Sequence, residues 1–381
     1  MGKSQMKPVQ KRIVIASILK PVDDTRMYEK MAVTLAASGR YEVIVIGFPA
    51  SSKIEHPGIT FLPSKKFRRL SLERLISPFR VFQKVLKVKP EVLIVNSHEL
   101  LIVAIVNRIL FGTSLVYDVQ ENYYRNLKHT KAFPVIIRTV LAWWVRLKEK
   151  LSVPFFKWFY LAEKGYVKEM TFLGTKYTVL ENKAILPSDF KKSPRKDSAI
   201  RLLFSGTLAE STGVFQAINL ARELYPINPN ITLKIIGYCA QAHVLSRIRE
   251  AIKDCPFIEL AGGGDQLVPH HRIMDAISEA DFGIICYPAS PHTQNSIPTK
   301  LYEYLACSLP VLIQDHLPWI EITAPLNASI VVHFDHPDAH GILRQMHEQQ
   351  FYSMPAKEVT WDAEASRLLQ SMSELTRSEK V

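Results

Sequence analysis

The stretch from Asn295 to Leu312, NSIPTKLYEYLACSLPVL, sets a proline, a lysine and a glutamate between two apolar runs, FGIICY at 282–287 and PVLIQD at 310–315. Pro298 suits the first position of a helix, where its missing amide would find no partner anyway and its fixed φ is already helical. Such a start leaves the backbone amides near Ser296 to Lys300 unbonded. With the Lys300 ammonium beside them, they suit a diphosphate. One turn later, the carboxylate of Glu303 is spaced to accept two hydrogen bonds from a ribose diol.

Other polar groups sit directly behind apolar runs. His98 and Glu99 follow EVLIVNS (91–97), and Gln120 and Glu121 follow SLVYDV (114–119), whose fifth residue is Asp118. An imidazole or carboxylate at such places binds sugar hydroxyls or accepts a proton. Asp23, Asp24 and Arg26 follow RIVIAS (12–17), and there the acidic pair has a plainer role in complementing a helix dipole. Two glycine-bearing turns also follow apolar runs. GTLAESTG (206–213) allows phosphate to approach backbone amides, although it matches neither GxGxxG nor a P-loop. AGGGD (261–265) serves equally as a simple turn.

The elements that must carry these groups alternate regularly. RIVIAS, YEVIVIGF (41–48), EVLIVNS, SLVYDV and YTVLEN (177–182) read as strands in the first half. IRLLFSG (200–206), ITLKIIG (231–237), FIELAG (257–262), FGIICY and PVLIQD do so in the second. Near-continuous apolar strands alternating with helices imply parallel sheets covered on both faces. The polar, charged stretch LPSDFKKSPRKDSA (186–199) reads as a linker. The expected organisation is therefore an α/β chain of two doubly wound, Rossmann-like domains facing a cleft, at 1–185 and 200–355, with a closing segment at 356–381. Ligands of such sheets bind outside the carboxyl ends of the strands.

Composition restricts the partners. Residues 1–185 hold 31 Lys and Arg against 14 Asp and Glu, whereas the remainder holds 17 against 22, so the net +12 of the chain belongs to its first half. That asymmetry points to an anionic partner. The runs KKFRRLSLERLISPFRVFQKVLKVK (65–89) and WWVRLKEKLSVPFFKWFY (143–160) interleave cations with Trp, Phe and Leu, as helices lying in an anionic lipid interface do. No nucleic-acid signature accompanies the charge, so nucleic acid is not an expected partner. Arginines interrupt every long apolar stretch well short of the roughly 20 residues a bilayer needs. Four scattered cysteines imply neither a disulfide framework nor a metal site, and a reducing cytoplasmic setting is expected, at the inner face of the cell membrane.

SIPTKLYEYLACSLPVL resembles the nucleotide-sugar motif of GT-B glycosyltransferases of the retaining family 4 group, in which a proline, a glutamate and a small-residue-Pro-Val run recur. The likeness extends to GTLAESTG at the family's phosphate-contacting loop, LEN (180–182) before the interdomain linker, and VTWDAEASRLLQ (359–370) at the helix that crosses back to the first domain. The nearest subgroup is that of bacterial surface-polysaccharide transferases. The resemblance implies transfer of a hexosyl or N-acetylhexosaminyl group from a nucleotide sugar, with retention and without a metal or other cofactor. The acceptor would be a lipid-linked or saccharide precursor held by the basic half.

On this basis the donor is expected at Gly206, Thr207, Gly237, Tyr238, Asn295, Ser296, Ile297, Lys300, Leu301 and Glu303, with His98, Asp118 and Glu121 acting on the acceptor side. Three features depart from the family pattern. Asn295 replaces the first of two glutamates, Thr207 and Thr212 replace the loop cations, and Gln120 replaces a histidine. A nucleotide-sugar epimerase of the same architecture and a non-catalytic partner subunit are the alternative readings.

Overall fold

The computed structural model describes residues 10–50, 53–68, 71–129, 133–194, 198–288, 296–354 and 356–377. The chain divides into two compact units, one of Met1–Asn182 with Trp361–Val381 and the other of Lys183–Thr360.

The first unit is built on seven strands, β1 (Lys11–Pro21), β2 (Tyr41–Phe48), β3 (Ile59–Pro63), β4 (Val92–Val95), β5 (Ser114–Val119), β6 (Trp158–Leu161) and β7 (Tyr177–Val179). They lie in the order β3-β2-β1-β4-β5-β6-β7, every pair parallel. Alternation explains why both faces need cover. Ile13 and Ile15 of β1 enter one core with Val43 and Val45, while Val14 and Ala16 enter the opposite core with Ile44 and Ile46. The terminal helix Trp361–Thr376 closes the first of these cores with Leu368 and Met372, both fully buried. Trp361 Nε1 donates to Thr34 Oγ1 at 2.9 Å, and Tyr160 meets Ser371 at 3.0 Å.

The second unit repeats the plan with β8 (Ile200–Thr207), β9 (Ile231–Tyr238), β10 (Ile258–Ala261), β11 (Phe282–Ile285), β12 (Val311–Gln314) and β13 (Ser329–Val332), in the order β10-β9-β8-β11-β12-β13 and again all parallel. Each sheet is a doubly wound α/β layer. Strand order reverses between β1 and β4 in one and between β8 and β11 in the other, and these switch points are where such sheets leave a crevice for ligand.

Three strands go beyond the sequence expectation. β3 and β13 are edge strands with part of their side chains exposed, so neither reads as a continuous apolar run. β6 lies inside the run expected to form one interfacial helix. The helix Val135–Ser152 ends before Pro154, and Phe159 and Tyr160 become sheet core instead of membrane-facing rings. No helix among the described residues is long and apolar enough to cross a membrane. All four cysteines are free thiols and buried.

Candidate functional site

In the second unit the switch point gathers most of the expected donor residues. β8 and β9 pair at Gly206 and Gly237, one residue before their ends, and a Cβ on Gly237 would lie 1.7 Å from the Gly206 carbonyl oxygen. Gly206 adopts φ +101°, a conformation that favours glycine. The turn beyond is locked by Thr212, whose hydroxyl donates to the Thr207 carbonyl at 2.8 Å. It ends at Gly213, φ +83°, where a Cβ would meet the Cys286 carbonyl oxygen at 2.0 Å. Cys286 Sγ donates to the Gly213 carbonyl at 3.0 Å, which fastens the glycine turn to the end of β11.

The helix Thr299–Ala306 starts beside this turn, with Pro298 in extended conformation as the residue before it. The loop leading in is anchored by Trp319, whose indole donates to the Ser296 carbonyl at 2.8 Å. Ile297 packs partly buried against the core. Asn295 lies outside the described residues. Leu301 is fully buried and its amide bonds the Pro298 carbonyl at 2.9 Å, so it packs the helix and offers nothing to a ligand, contrary to expectation.

Lys300 is the informative residue. Its side chain does not extend freely from the helix start but is buried, with Nζ donating to the Ser205 carbonyl and lying 4.9 Å from the Phe204 ring and 5.5 Å from that of Tyr287. Nζ would come within 3.0 Å of a Cβ on Gly206, so the ammonium stands directly under the glycine turn. Burial pulls its pKa down to about 8, and the carboxylate of Glu303 opposes the change. The protonated form still predominates at neutral pH. One turn on, Glu303 is about one quarter exposed and faces His270 Nε2 at 3.2 Å. Tyr238 and Thr207 are exposed at the ends of β9 and β8.

The first unit presents a different arrangement at its own switch point. Arg26, in the π-helical segment Thr25–Ala32 after β1, is buried against Asp118 with Nη2 at 2.6 Å from one oxygen and Nε at 3.0 Å from the other. Its remaining nitrogen donates to the Leu180 carbonyl at 2.7 Å and to Asn182 at 2.9 Å. Gln120 donates to Asp118 at 2.8 Å. Asp118 is therefore the anchor that orients Arg26 and Gln120, and it is not placed to touch a substrate.

Beside it, His98 opens the turn after β4. Its Nδ1 lies 2.9 Å from the Lys148 ammonium, and its ring meets Tyr123 edge-on at 4.8 Å. Burial is the main cause of a pKa pushed down to about 4, with Lys148 and Arg74 adding to it. The imidazole is thus neutral at pH 7. Since Nδ1 faces a cation it accepts, which leaves the proton on Nε2. Glu99, paired with Arg74 at 2.8 Å, completes the group. It borders a cavity of about 420 Å³ whose apolar wall includes Phe79, Ile102, Leu141 and Trp144. Glu121 is exposed and accepts from Asn126 at 3.1 Å.

Sequence reasoning missed Arg74, Lys148 and His270 as site residues and left Arg26 without a role. Only Arg26, a lone cation closely following β1, carried any local signal.

No protein-family model matches the chain, and no curated protein matches it. Solved structures do. A sucrose-phosphate synthase from Thermosynechococcus elongatus superposes with TM-score 0.70 at 15% identity, over 96% of this chain and 99% of the other. Anabaena Alr3699/HepE, in complex with UDP and glucose, gives 0.66 at 12% identity over 96% and 100%. A candidate UDP-N-acetylglucosamine 2-epimerase from Listeria monocytogenes gives 0.62 at 12% over 96% and 96%. At such identities the likeness establishes the fold, two Rossmann-like α/β domains of the GT-B type.

Proposed function

We propose that the chain is a glycosyltransferase that moves a sugar from a nucleotide-diphosphate donor to an acceptor hydroxyl with retention of configuration. The observation that carries this reading is the meeting of Lys300, Gly206 and the start of the Thr299–Ala306 helix at the switch point of the second sheet. A buried ammonium beneath a glycine turn, next to the start of a helix, suits a diphosphate better than a neutral ligand. Glu303 would hold the ribose and Tyr238 would lie against the base. Among solved structures of this shape, Alr3699/HepE holds UDP-glucose and another is named for a UDP-N-acetylglucosamine 2-epimerase.

In the reaction the bond from the anomeric carbon to the diphosphate oxygen breaks and the acceptor oxygen bonds the same face of that carbon. The acceptor's hydroxyl proton passes to the departing diphosphate oxygen, which lies on the same face as the attacking oxygen and becomes its acceptor as the two bonds exchange. Charge gathers on the departing diphosphate, where the preorganised helix amides and Lys300 stabilise it without reorganising. In the first unit, His98 and Glu121 would orient the acceptor hydroxyl.

The acceptor class follows from the exposed surface of that unit. Leu75 and Phe79, Ile109 and Phe111, and Trp143 and Trp144 are all at least half exposed, on three helices that also carry Arg80, Lys84, Arg108 and Lys150. Such a surface fits the headgroup region of an anionic leaflet and hence a lipid-linked acceptor. Incubation with a panel of nucleotide sugars, with and without membrane lipid, tests the proposal. A glycosylated lipid supports it, and an isomerised nucleotide sugar formed without lipid replaces it with an epimerase. If neither nucleotide sugar nor nucleoside diphosphate binds, the reading as an enzyme fails.

A further inference from the structure

The first unit has a second cavity, of about 450 Å³, on a different face of the helix Val135–Ser152 from the one that His98 borders. Its lining carries four Lys or Arg side chains, Arg125, Lys128, Arg146 and Lys150, and a single carboxylate, Glu169. That carboxylate is engaged already. One oxygen accepts from Arg125 Nη1 at 2.7 Å and the other from the Asn122 amide.

Arg146 forms the floor. It is only 7% exposed, with its guanidinium 5.0 Å from the Tyr124 ring and 5.1 Å from that of Phe172. Nη2 donates to Asn122 at 3.0 Å, but Nη1 has no hydrogen bond, although Glu149 Oε2 lies 3.3 Å away. Glu149 compensates this charge poorly, because burial pushes its carboxyl up to about 7 and leaves it close to half protonated at neutral pH. Arg125 Nε is a second buried donor with no hydrogen bond. Buried cations with open donors are costly to keep. Here two of them face a cavity with Lys128 and Lys150 exposed at its rim.

We propose that this cavity binds a phosphate ester, with its oxygens between Arg125 and Arg146 and its remaining charge met by Lys128 and Lys150. Tetrahedral oxygens suit the guanidinium donors left without a hydrogen bond, and the fork geometry of arginine matches them. Trp143, more than half exposed, lines the same cavity and continues into the apolar surface of the helix, so a phosphate carried on an apolar chain has a path for that chain. The site lies in the unit assigned to the acceptor and involves neither Lys300 nor Glu303. It therefore stands whether or not the donor reading does.

Titration calorimetry on the full chain, saturated with UDP, tests it with two probes, inorganic pyrophosphate and farnesyl diphosphate. One site is expected for each, and the double variant Lys128→Ala/Lys150→Ala should weaken it by about tenfold or more, the loss typical of charge-assisted contacts. Arg146→Lys should also weaken it, and the rim variant serves if that one folds poorly. Tighter binding of farnesyl diphosphate than of pyrophosphate assigns the phosphate to a lipid, and equal binding assigns it to a small phosphorylated metabolite. Absent binding, displacement by UDP, or an unchanged affinity in the rim variant overturns the proposal. Failure of UDP itself to bind is seen separately and counts only against the donor reading.

Discussion

The two switch points are built from opposite materials. In the second unit the strand ends are glycines, the neighbouring helix start offers amides, and a single buried lysine supplies charge. In the first unit the equivalent place is filled by side chains, with Arg26, Asp118 and Gln120 in one network and Arg74, Glu99, His98 and Lys148 in another. Backbone sites suit a ligand whose chemistry does not vary, such as a diphosphate. Side-chain sites can be rebuilt by substitution for each new partner. The contrast implies that removing one group from the first unit harms the fold, whereas removing one from the second harms the ligand.

The largest effect expected from that contrast is at Arg26. Arg26→Ala leaves Asp118 buried and unpaired, at about 3–5 kcal/mol of stability in chemical unfolding. Lys300→Met should weaken UDP binding by about 1.5–3 kcal/mol in calorimetry while the midpoint of unfolding holds or rises, because an ammonium no longer has to be desolvated. If the two outcomes are exchanged, the contrast is lost.

The pH dependence sharpens it. Lys300 titrates at about 8 in the fold against 10.5 unfolded, so binding of UDP should weaken above pH 8 while the same group makes the fold more stable from pH 8 to 10.5. Both trends should vanish in Lys300→Met. His98 acts at the other end. Its proton is lost at about 4 in the fold and at 6.5 unfolded, so stability should fall as pH drops from 6.5 towards 4, by up to about 3 kcal/mol, and His98→Asn should flatten that slope. The smallest change in stability belongs to Trp143→Ala with Trp144→Ala, within about 0.5 kcal/mol because both rings are exposed. Flotation with phosphatidylglycerol vesicles should nonetheless show most of the binding gone.

Strands such as β1, β5, β8 and β9 were legible because parallel strands covered on both faces leave continuous apolar runs. β3 and β13 escaped because edge strands keep one side in water, and β6 escaped because its aromatics continue a helical pattern across Pro154. Within the site, Gly206, Lys300 and Glu303 could be read because each stands next to the element that holds it. What could not be read was the burial of Lys300 under Phe204 and Tyr287, the contact of His270 with Glu303, and the seizure of Asp118 by Arg26. Each depends on residues tens of positions apart, and no local spacing encodes them.

The chain leaves the first unit at Asn182 and returns to it at Trp361, and at this neck Ala184 pairs with Thr360. In terms of synthesis, the whole second unit is an insertion delivered before its host is finished. The sheet of the first unit is made early, yet Leu368 and Met372, which cover one face of it, emerge from the ribosome only after the whole second unit. The second unit can fold while the first still waits with an open core. A chain stopped at Thr360 should therefore keep the second unit folded and expose the first to aggregation and proteolysis, and a separately supplied terminal helix should restore its protection.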